Sequence, residues 1–326
     1  MKMRPDQKLL RGGKAQNRVR NGRLRQGGDC GGAARRLSAD LQDQEPHMSL
    51  AERFQRFKKR ILSPGPLVPV IRLQGAIAAN SGGIGSGPTL NHASLAPAIE
   101  RAFSGKPAAV ALAINSPGGS PTQSALIAED VRRRADEKGI KVFAFCEDVA
   151  ASGGYMLAVS ADEIWADRYS LIGSIGAIMA GFGFPEALEK LGVERRVYRA
   201  GENKDLMDPF RPARPEDRER AERLLSDIHS GFIGWVKARR AGRLDEQTPN
   251  LFEGEVWTSP DALRIGLIDG IGHMAPVLRE KLGAEPRLRL ANPTRRGFLG
   301  RRLGVELAEG ALGALETRAE FGRFGR

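Results

Sequence analysis

The chain has 326 residues, of which 41% are hydrophobic, and a formal net charge of +12. This length suits one large or two ordinary domains, and the apolar content is sufficient for a folded core. The sequence contains no apolar run long enough to span a bilayer and no apolar signal-peptide stretch, so we expect a cytoplasmic protein, or one bound peripherally at the inner face of the membrane.

The first 47 residues are predicted to form a disordered basic leader. They contain eleven Lys or Arg and five Asp or Glu, which is half of the excess positive charge of the chain, and few large apolar residues. Met48 opens a more ordinary sequence, so translation starting there is one hypothesis. A basic tail explains the charge better than a nucleic-acid surface does, because no basic and aromatic residues interleave. We therefore expect no specific nucleic-acid partner.

The two cysteines, Cys30 and Cys146, have no metal-ligand spacing. A disulfide between the leader and an apolar strand is not expected, which fits a reducing compartment. Neither a metal nor another cofactor is predicted.

Residues 48–64 are predicted to form a basic amphipathic helix and a linker. Its apolar side chains follow helical spacing at Leu50, Phe54, Phe57 and Ile61. Two interpretations stay open: the helix docks on the domain or on a partner subunit, or it lies on a membrane surface.

Residues 65–290 alternate between strand and helix patterns, and residues 291–326 form a basic tail with an amphipathic pattern near 303–319. Such alternation predicts parallel strands joined by crossover helices. The predicted strands are Val68–Leu73, Ala108–Ile114, Lys141–Phe145, Glu163–Ala166, Arg195–Tyr198 and 256–258, and the predicted helices are 92–104, 121–138, 152–160, 185–191, 215–241 and 260–267.

Two glycine turns follow neighbouring predicted strands. One is Asn-Ser-Pro-Gly-Gly, ending at Gly119, and the other is Ala-Ala-Ser-Gly-Gly-Tyr, which contains Ser152. Ser152 is a candidate nucleophile, and the amides of Gly153 and of Gly119, or less readily Gly118, are candidate oxyanion donors. The alternative is that both turns are only tight connections between strand and helix.

The base that would activate this serine is predicted to be a lysine. None of His47, His92, His229 and His273 lies in a glycine turn beside the serine, which disfavours a Ser-His-Asp triad. Lys204 lies in the short polar segment Gly-Glu-Asn-Lys-Asp. A lysine serves as a base only where desolvation favours its neutral form, whereas an arbitrary lysine is a solvated surface side chain.

Four segments in order, the two glycine turns, Ile-Gly-Ser-Ile-Gly around Ser174 and Gly-Glu-Asn-Lys-Asp, closely resemble the signal peptide peptidase A (protease IV) family of serine peptidases. The resemblance covers about residues 65–285, including Val-Trp-Thr-Ser-Pro-Asp-Ala from Val256. It implies an α/β fold, the crotonase-like (Clp protease-like) superhelix of repeated β-β-α units, in a single catalytic domain without metal or nucleotide.

The resemblance also implies the roles of individual residues. Ser152 would be the nucleophile, Lys204 the general base and Ser174 the hydroxyl that orients the lysine amine. Gly119 and Gly153 would supply the oxyanion amides. Short members of the family form homo-oligomeric rings in which serine and lysine meet across a subunit boundary, and they cleave extended apolar peptides such as remnant signal peptides.

Two other functions remain as alternatives. A crotonase-like acyl-CoA enzyme would use the oxyanion donors without a serine nucleophile, and a catalytically inactive scaffold would be a membrane-associated ring. The first is disfavoured because no glutamate lies at the turns, and the second because Ser152 and Lys204 are both present. Many bacterial members of the family carry an N-terminal membrane anchor that we do not detect, which leaves the compartment and the natural substrate open.

Overall fold

The computed structural model of the chain describes residues 65–79 and 89–292. Three predicted features lie outside the described residues: the leader 1–47 with Met48, the basic helix at 50–62, and the amphipathic pattern at 303–319. The described strands are β1 (Leu67–Gln74), β2 (Val110–Ser116), β3 (Val142–Ala151), β4 (Glu163–Ala166), β5 (Leu171–Gly173), β6 (Val256–Thr258), β7 (Gly270–Ile271) and β8 (Arg287–Leu290), and the described helices are α1 (His92–Ala102), α2 (Pro121–Lys138), α3 (Gly153–Ala158), α4 (Pro185–Lys190), α5 (Pro215–Arg239), α6 (Ser259–Arg264) and α7 (Met274–Leu282).

The eight strands form one mixed sheet in which β2 is central. The order along the sheet is β6-β5-β3-β2-β1-β8, and β4 pairs with both β3 and β7. The pairs of β2 with β1 and β3 are parallel, and all seven residues of β2 are buried. A strand covered on both faces needs a nearly continuous apolar run, which is what Val-Ala-Leu-Ala-Ile provides. The ends of β2 and β3 therefore meet at one edge of the sheet.

Strand β3 changes partners along its length. Residues 143–146 pair with β4, whereas residues 149–151 pair with β5. Its register with β2 also shifts, because Ile114 pairs with Cys146 but Ser116 pairs with Ala150. Such an irregularity bends a strand and re-aims the residues that follow it. Here those residues are Ser152 and helix α3.

Helix α2 connects β2 to β3 and has well-defined ends. The Ser120 side chain accepts a hydrogen bond from Gln123 N, Pro121 occupies the first turn, and Gly139 closes the helix at φ 61°. Its buried side chains include Ile127 and Val131. The bounds predicted for this helix from the sequence are confirmed.

Two sequence predictions need correction, and one strand was missed. Arg195–Tyr198 is not a strand: it has no ladder partner among the described residues, and its side chains are exposed. Helix α3 begins one residue after Ser152 and ends at Ala158, earlier than predicted. Strand β8, a fully exposed run of only four residues, Arg-Leu-Arg-Leu, was not predicted.

Helix α5 is the longest helix in the described part of the chain, at 25 residues. Its exposed face is charged. Within residues 65–79 and 89–292, no helix is long and apolar enough to cross a membrane.

A buried ion pair links the end of α5 to the sheet. The Arg240 side chain is 2% exposed, and its Nη1 lies 2.8 Å from Asp269 Oδ2. Arg240 also donates to Gly266 O, and Asp269 accepts from Ile164 N at 2.7 Å. Burial alone would raise the pKa of Asp269, but the hydrogen bonds and charge of Arg240 lower it below its ordinary value.

We expect Asp269→Asn to lower the free energy of unfolding by about 3–5 kcal/mol at neutral pH, because it leaves Arg240 buried without its counter-charge. The loss should shrink in acid. The pKa of Asp269 is lower in the folded protein than in the unfolded one, where it is about 3.9, so the ionised carboxylate stabilises the fold above that pH. This stabilisation disappears as the pH falls through the lower pKa of the folded protein. Urea titrations across this range would measure it.

The matched control is Asp261→Asn, which breaks the exposed Asp261–Arg264 pair at 3.2 Å. It should cost less than about 1 kcal/mol. Equal losses in the two variants would contradict a structural role for the buried pair.

Candidate active site

Ser152 occupies a strained backbone position directly after β3. Its φ is 51° and its ψ is −122°, an uncommon combination for a residue with a side chain, which costs on the order of 1–3 kcal/mol. Two hydrogen bonds hold it: Ser152 N donates to Gly173 O at 2.8 Å, and Met156 N donates to Ser152 O at 3.0 Å. The strand-to-helix turn predicted around this serine is thus present, and the side chain is half-buried.

The turn after β2 packs directly against the turn after β3. Gly118 and Gly119 have φ values of 105° and 135°. Ile77 N donates to Gly118 O and Ser120 N donates to Ile77 O, each at 2.7 Å. A Cβ on Gly118 would lie 2.8 Å from Gly153 N, and one on Gly119 would lie 2.1 Å from Ile77 O. Only glycine fits this approach.

Several backbone amides in these turns, including those of Gly119 and Gly153, lack acceptors within the described part of the chain. Among the described residues, neither Gly119 N nor Gly153 N donates a hydrogen bond. For Gly153 this follows from its place as the first residue of α3, where an amide has no partner inside the helix. Backbone amides of this kind stabilise a developing negative charge on an oxygen atom between them.

A cleft of about 680 Å³ opens beside Ser152. Gly119 and Ser174 line it as well, so the structure brings together three of the five residues predicted from the sequence, with Gly153 next to Ser152 in the chain. Ser174 also has a positive φ, 51°, and its N donates to Glu255 O at 2.7 Å. The apolar residues of the lining are Ile77, Ala78, Ala79, Pro117, Pro121, Ala177, Ile178, Leu225 and Ile228.

Lys204 is the predicted site residue that this chain does not bring to the cleft. It is exposed and is not among the cleft-lining residues. It lies on what we call the arm, residues 177–214 between β5 and α5, in a turn where Lys204 N donates to Gly201 O at 3.3 Å. The pairing of Ser152 and Lys204 stays a prediction.

The arm exposes large apolar side chains. Ile178, Phe182, Leu191 and Tyr198 are 72%, 81%, 75% and 92% exposed. Exposed apolar residues in such number on one segment are typical of a surface that another molecule covers.

An ion-pair cluster that was not predicted from the sequence fixes the base of the arm. Asp205, next to Lys204, lies 2.6 Å from Arg199, 3.2 Å from Arg211 and 3.3 Å from Arg214. Arg211 and Arg214 also bind Asp217 in the first turn of α5, and hydrogen bonding from Arg214 lowers the pKa of that carboxyl. The sequence signal was the alternation of Arg and Asp over 205–217, which a solvated loop would also show.

The described histidines and cysteine do not offer another catalytic pair. His92 lies 3.3 Å from Asp130, and His229 Nε2 lies 3.2 Å from Ile175 O. Neither they nor His273 lines the cleft. Cys146 is buried, and burial raises the pKa of its thiol to about 12. Within the described ranges, no group of three or more His, Cys, Asp or Glu residues is arranged to hold a metal ion.

Residues 134–283 match the model of peptidase family S49. These 150 residues, just under half of the chain, are similar to that family. The match includes Ser152, Ser174 and Lys204, and therefore three of the four segments, and it confirms the inferred resemblance; the turn that ends at Gly119 lies before the matched range. With the mixed sheet it also supports the predicted crotonase-like, Clp protease-like α/β fold.

Several curated proteins are similar to the chain. It is 51% identical over 257 residues to a protein from Brucella melitensis named Na(+)/H(+) antiporter NhaA, covering 78% of this chain and 34% of that protein. It is 30% identical over 205 residues to an Enterococcus faecium protein with the provisional name signal peptide peptidase SppA, covering 61% and 59%. With the serine protease SPPA of Arabidopsis thaliana it shares 33% over 168 residues, covering 51% and 24%. The chain thus spans between about a quarter and three fifths of the lengths of these relatives.

Among solved structures, the chain is similar to a serine-to-alanine mutant of the 1510-N membrane-bound stomatin-specific protease. The TM-score is 0.46 at 16% sequence identity, with 71% of this chain and 99% of that chain covered.

Gly154 and Gly231 should respond in opposite directions to the same substitution. A Cβ on Gly154 would lie 2.4 Å from Ser116 O, whereas a Cβ on Gly231 in α5 would meet nothing within 4 Å. We expect Gly154→Ala to destabilise the protein by about 1–3 kcal/mol through overpacking. Gly231→Ala should stabilise it by roughly 0.5–1 kcal/mol, since alanine suits a helix better.

Thermal unfolding of the two variants beside the unmodified protein measures the difference. A Gly154→Ala variant as stable as the unmodified protein would contradict the close packing of the two turns.

Proposed function

We propose that this protein is a serine peptidase that hydrolyses extended apolar peptides, with Ser152 as nucleophile and Lys204 as general base. The observation that carries the proposal is the position of Ser152: a strained turn beside two unpartnered amides, in an apolar cleft. Relatives named as signal peptide peptidase and serine protease support it. Remnant signal peptides are the substrate class that the apolar lining suits best.

The first step forms an acyl-enzyme. The neutral Lys204 amine takes the proton of Ser152 Oγ, and the oxygen attacks the carbonyl carbon of the scissile bond. The amides of Gly119 and Gly153 stabilise the oxyanion, and removal of one such donor typically costs about 2.7–4 kcal/mol. The tetrahedral intermediate collapses as the lysine ammonium gives its proton to the leaving amine.

The second step releases the acyl group. Lys204 takes a proton from water, the resulting nucleophile attacks the ester carbonyl, and the proton returns to Ser152 Oγ. Ser174, whose backbone is held by Glu255 O, supplies the hydroxyl that accepts a hydrogen bond from the lysine amine and orients it. These two steps assign a chemical role to each of the five site residues that were predicted from the amino-acid sequence.

The lysine must come from a second copy of the chain under this proposal. Lys204 is exposed and apart from the cleft of its own chain, and the arm that carries it exposes apolar side chains. A head-to-tail contact that inserts the arm of one copy beside the cleft of the next would cover those side chains and complete each site. Repetition of such a contact closes a ring when the rotation permits.

Ser152→Ala and Lys204→Ala should each lower kcat/KM for a signal-peptide-like apolar peptide by at least about 10³-fold, because a dyad acts as a unit. Lys190→Ala is the matched control, an exposed lysine on the same arm, and should retain activity. A cleavage assay measures the turnover of each variant, and a separate reaction with a fluorophosphonate probe measures the labelling of Ser152.

Full turnover in Lys204→Ala would overturn the dyad. An unmodified protein that is folded and assembled, but neither cleaves nor takes up the probe, would instead favour the acyl-CoA enzyme or the inactive scaffold.

Mixing the two inactive variants tests whether the dyad is shared between copies. A hybrid ring contains boundaries at which an intact Ser152 faces an intact Lys204, so activity should return to roughly a quarter of the unmodified level under random head-to-tail assembly. Denaturing and refolding the variants together, then assaying cleavage, provides the measurement. Recovery should be absent when each variant is refolded separately. Failure to recover activity in verified hybrid assemblies would place both dyad residues in one chain.

A further inference from the structure

Glu253 is an exposed residue that lines the cleft that contains Ser152. It belongs to the loop before β6, which is bound to the Ser174 segment: Gly254 N donates to Ile175 O at 3.0 Å, and Ser174 N donates to Glu255 O at 2.7 Å. Of the described residues that line the cleft, Glu253 alone carries a charged side chain. Neither the sequence motifs nor the proposed mechanism uses it.

The Glu253 carboxylate has no ion-pair or hydrogen-bond partner within the described part of the chain. A cation lies close to its neighbour in sequence, since Lys237 Nζ is 5.2 Å from the ring centroid of Phe252. That lysine, however, pairs with Glu246 at 2.7 Å. The charge of Glu253 is therefore available to a ligand in the cleft.

A groove next to the cleft is also lined by negatively charged residues. It has a volume of about 520 Å³, lies between α2 and α5, and shares Pro121 and Ile228 with the cleft. Glu129 and Asp227 line it among apolar and small residues. No Lys or Arg among the described residues lines the cleft or the groove. The surface that extends from Ser152 through both is therefore largely apolar, with the three acidic residues Glu253, Glu129 and Asp227.

We propose that Glu253 forms a subsite for a Lys or Arg side chain of the substrate, so that the enzyme selects apolar peptides with a basic residue near the cut. Lys and Arg combine an apolar stem with a cationic head. The stem would pack on Leu225 and Ile228, and the head would pair with Glu253. This inference rests on the proposed peptidase function, because it assigns the cleft to a peptide.

A binding assay separates this subsite from catalysis. It uses the Ser152→Ala protein and fluorescent apolar peptides that differ only in one residue, Lys, Gln or Glu, placed at successive positions. Fluorescence anisotropy gives the Kd of each peptide, with and without Glu253→Gln or Glu253→Lys added. Glu255→Gln and Glu255→Lys are the matched controls, because Glu255 is exposed, two residues away and outside the cleft lining.

At one position, the Lys peptide should bind about fivefold more tightly than the Glu peptide, the scale of an accessible ion pair. Glu253→Gln should remove the preference and Glu253→Lys should reverse it, while the Glu255 variants retain it. Added salt should weaken the preference, since an exposed pair is screened.

Equal affinities for the Lys and Glu peptides at every position would overturn the subsite. An equal effect of the Glu255 variants on the preference would overturn it as well. The third contrary result is a Glu253 variant that weakens the binding of all peptides alike and loses its assembly in sedimentation. That result would assign Glu253 to a contact with a second copy of the chain. The same peptides are also assayed for cleavage by the protein with Ser152 intact. If no peptide is cleaved but the Lys peptide still binds more tightly in a Glu253-dependent way, the proposed hydrolysis is refuted and the subsite is retained. If the peptides are cleaved but bind with equal affinity, the hydrolysis is retained and the subsite is refuted.

Discussion

The contact between the two glycine turns at the ends of β2 and β3 is the constraint on which the rest of the site depends. Gly118 approaches Ser152 and Gly153 so closely that a Cβ has no room, and Ile77 is hydrogen-bonded on both sides of Gly119. Because parallel strands end at the same edge of a sheet, two turns distant in sequence are adjacent in space. The packing forces Ser152 into its positive φ and leaves the amides of Gly119 and Gly153 without acceptors. The strain is local, and the buried strands on either side of it supply the rigidity that maintains it.

The core and the arm contribute different parts of the proposed machinery. Ser152, Ser174 and the two amides are attached to buried strands or to turns that close against them, so contacts within the chain hold their geometry. Lys204 instead belongs to a segment with few buried apolar residues, held at its base by the ion pairs of Asp205 and Asp217. These pairs link the lysine loop to the first turn of α5, a long helix that packs on α3.

The sequence predicted the core better than the arm, for physical reasons. The apolar run of β2 and the Pro121 and Gly139 boundaries of α2 are local signals, and the proximity of the two glycine turns follows from the parallel arrangement alone. Arg195–Tyr198 contains the strand-forming residues Val197 and Tyr198, but Arg195 binds Asp208 and no strand among the described residues pairs with the segment. Strand β8 alternates Arg and Leu over only four residues, and all four are exposed, so no buried face distinguishes it from a loop. Glu253 reaches the cleft only through the pairing of its loop with residues about 80 positions earlier, which no local pattern encodes.

The charge of the cleft bears on which peptides the proposed site would accept. Among the described residues that line the cleft, Glu253 alone carries a charged side chain, and most of the other lining residues are apolar or glycine. A cationic side chain of the substrate that pairs with Glu253 would leave the filled cleft without an unpaired charge. Under the two proposals together, an apolar peptide with a basic residue would match both the apolar lining and the carboxylate, whereas a wholly apolar peptide would match the lining alone.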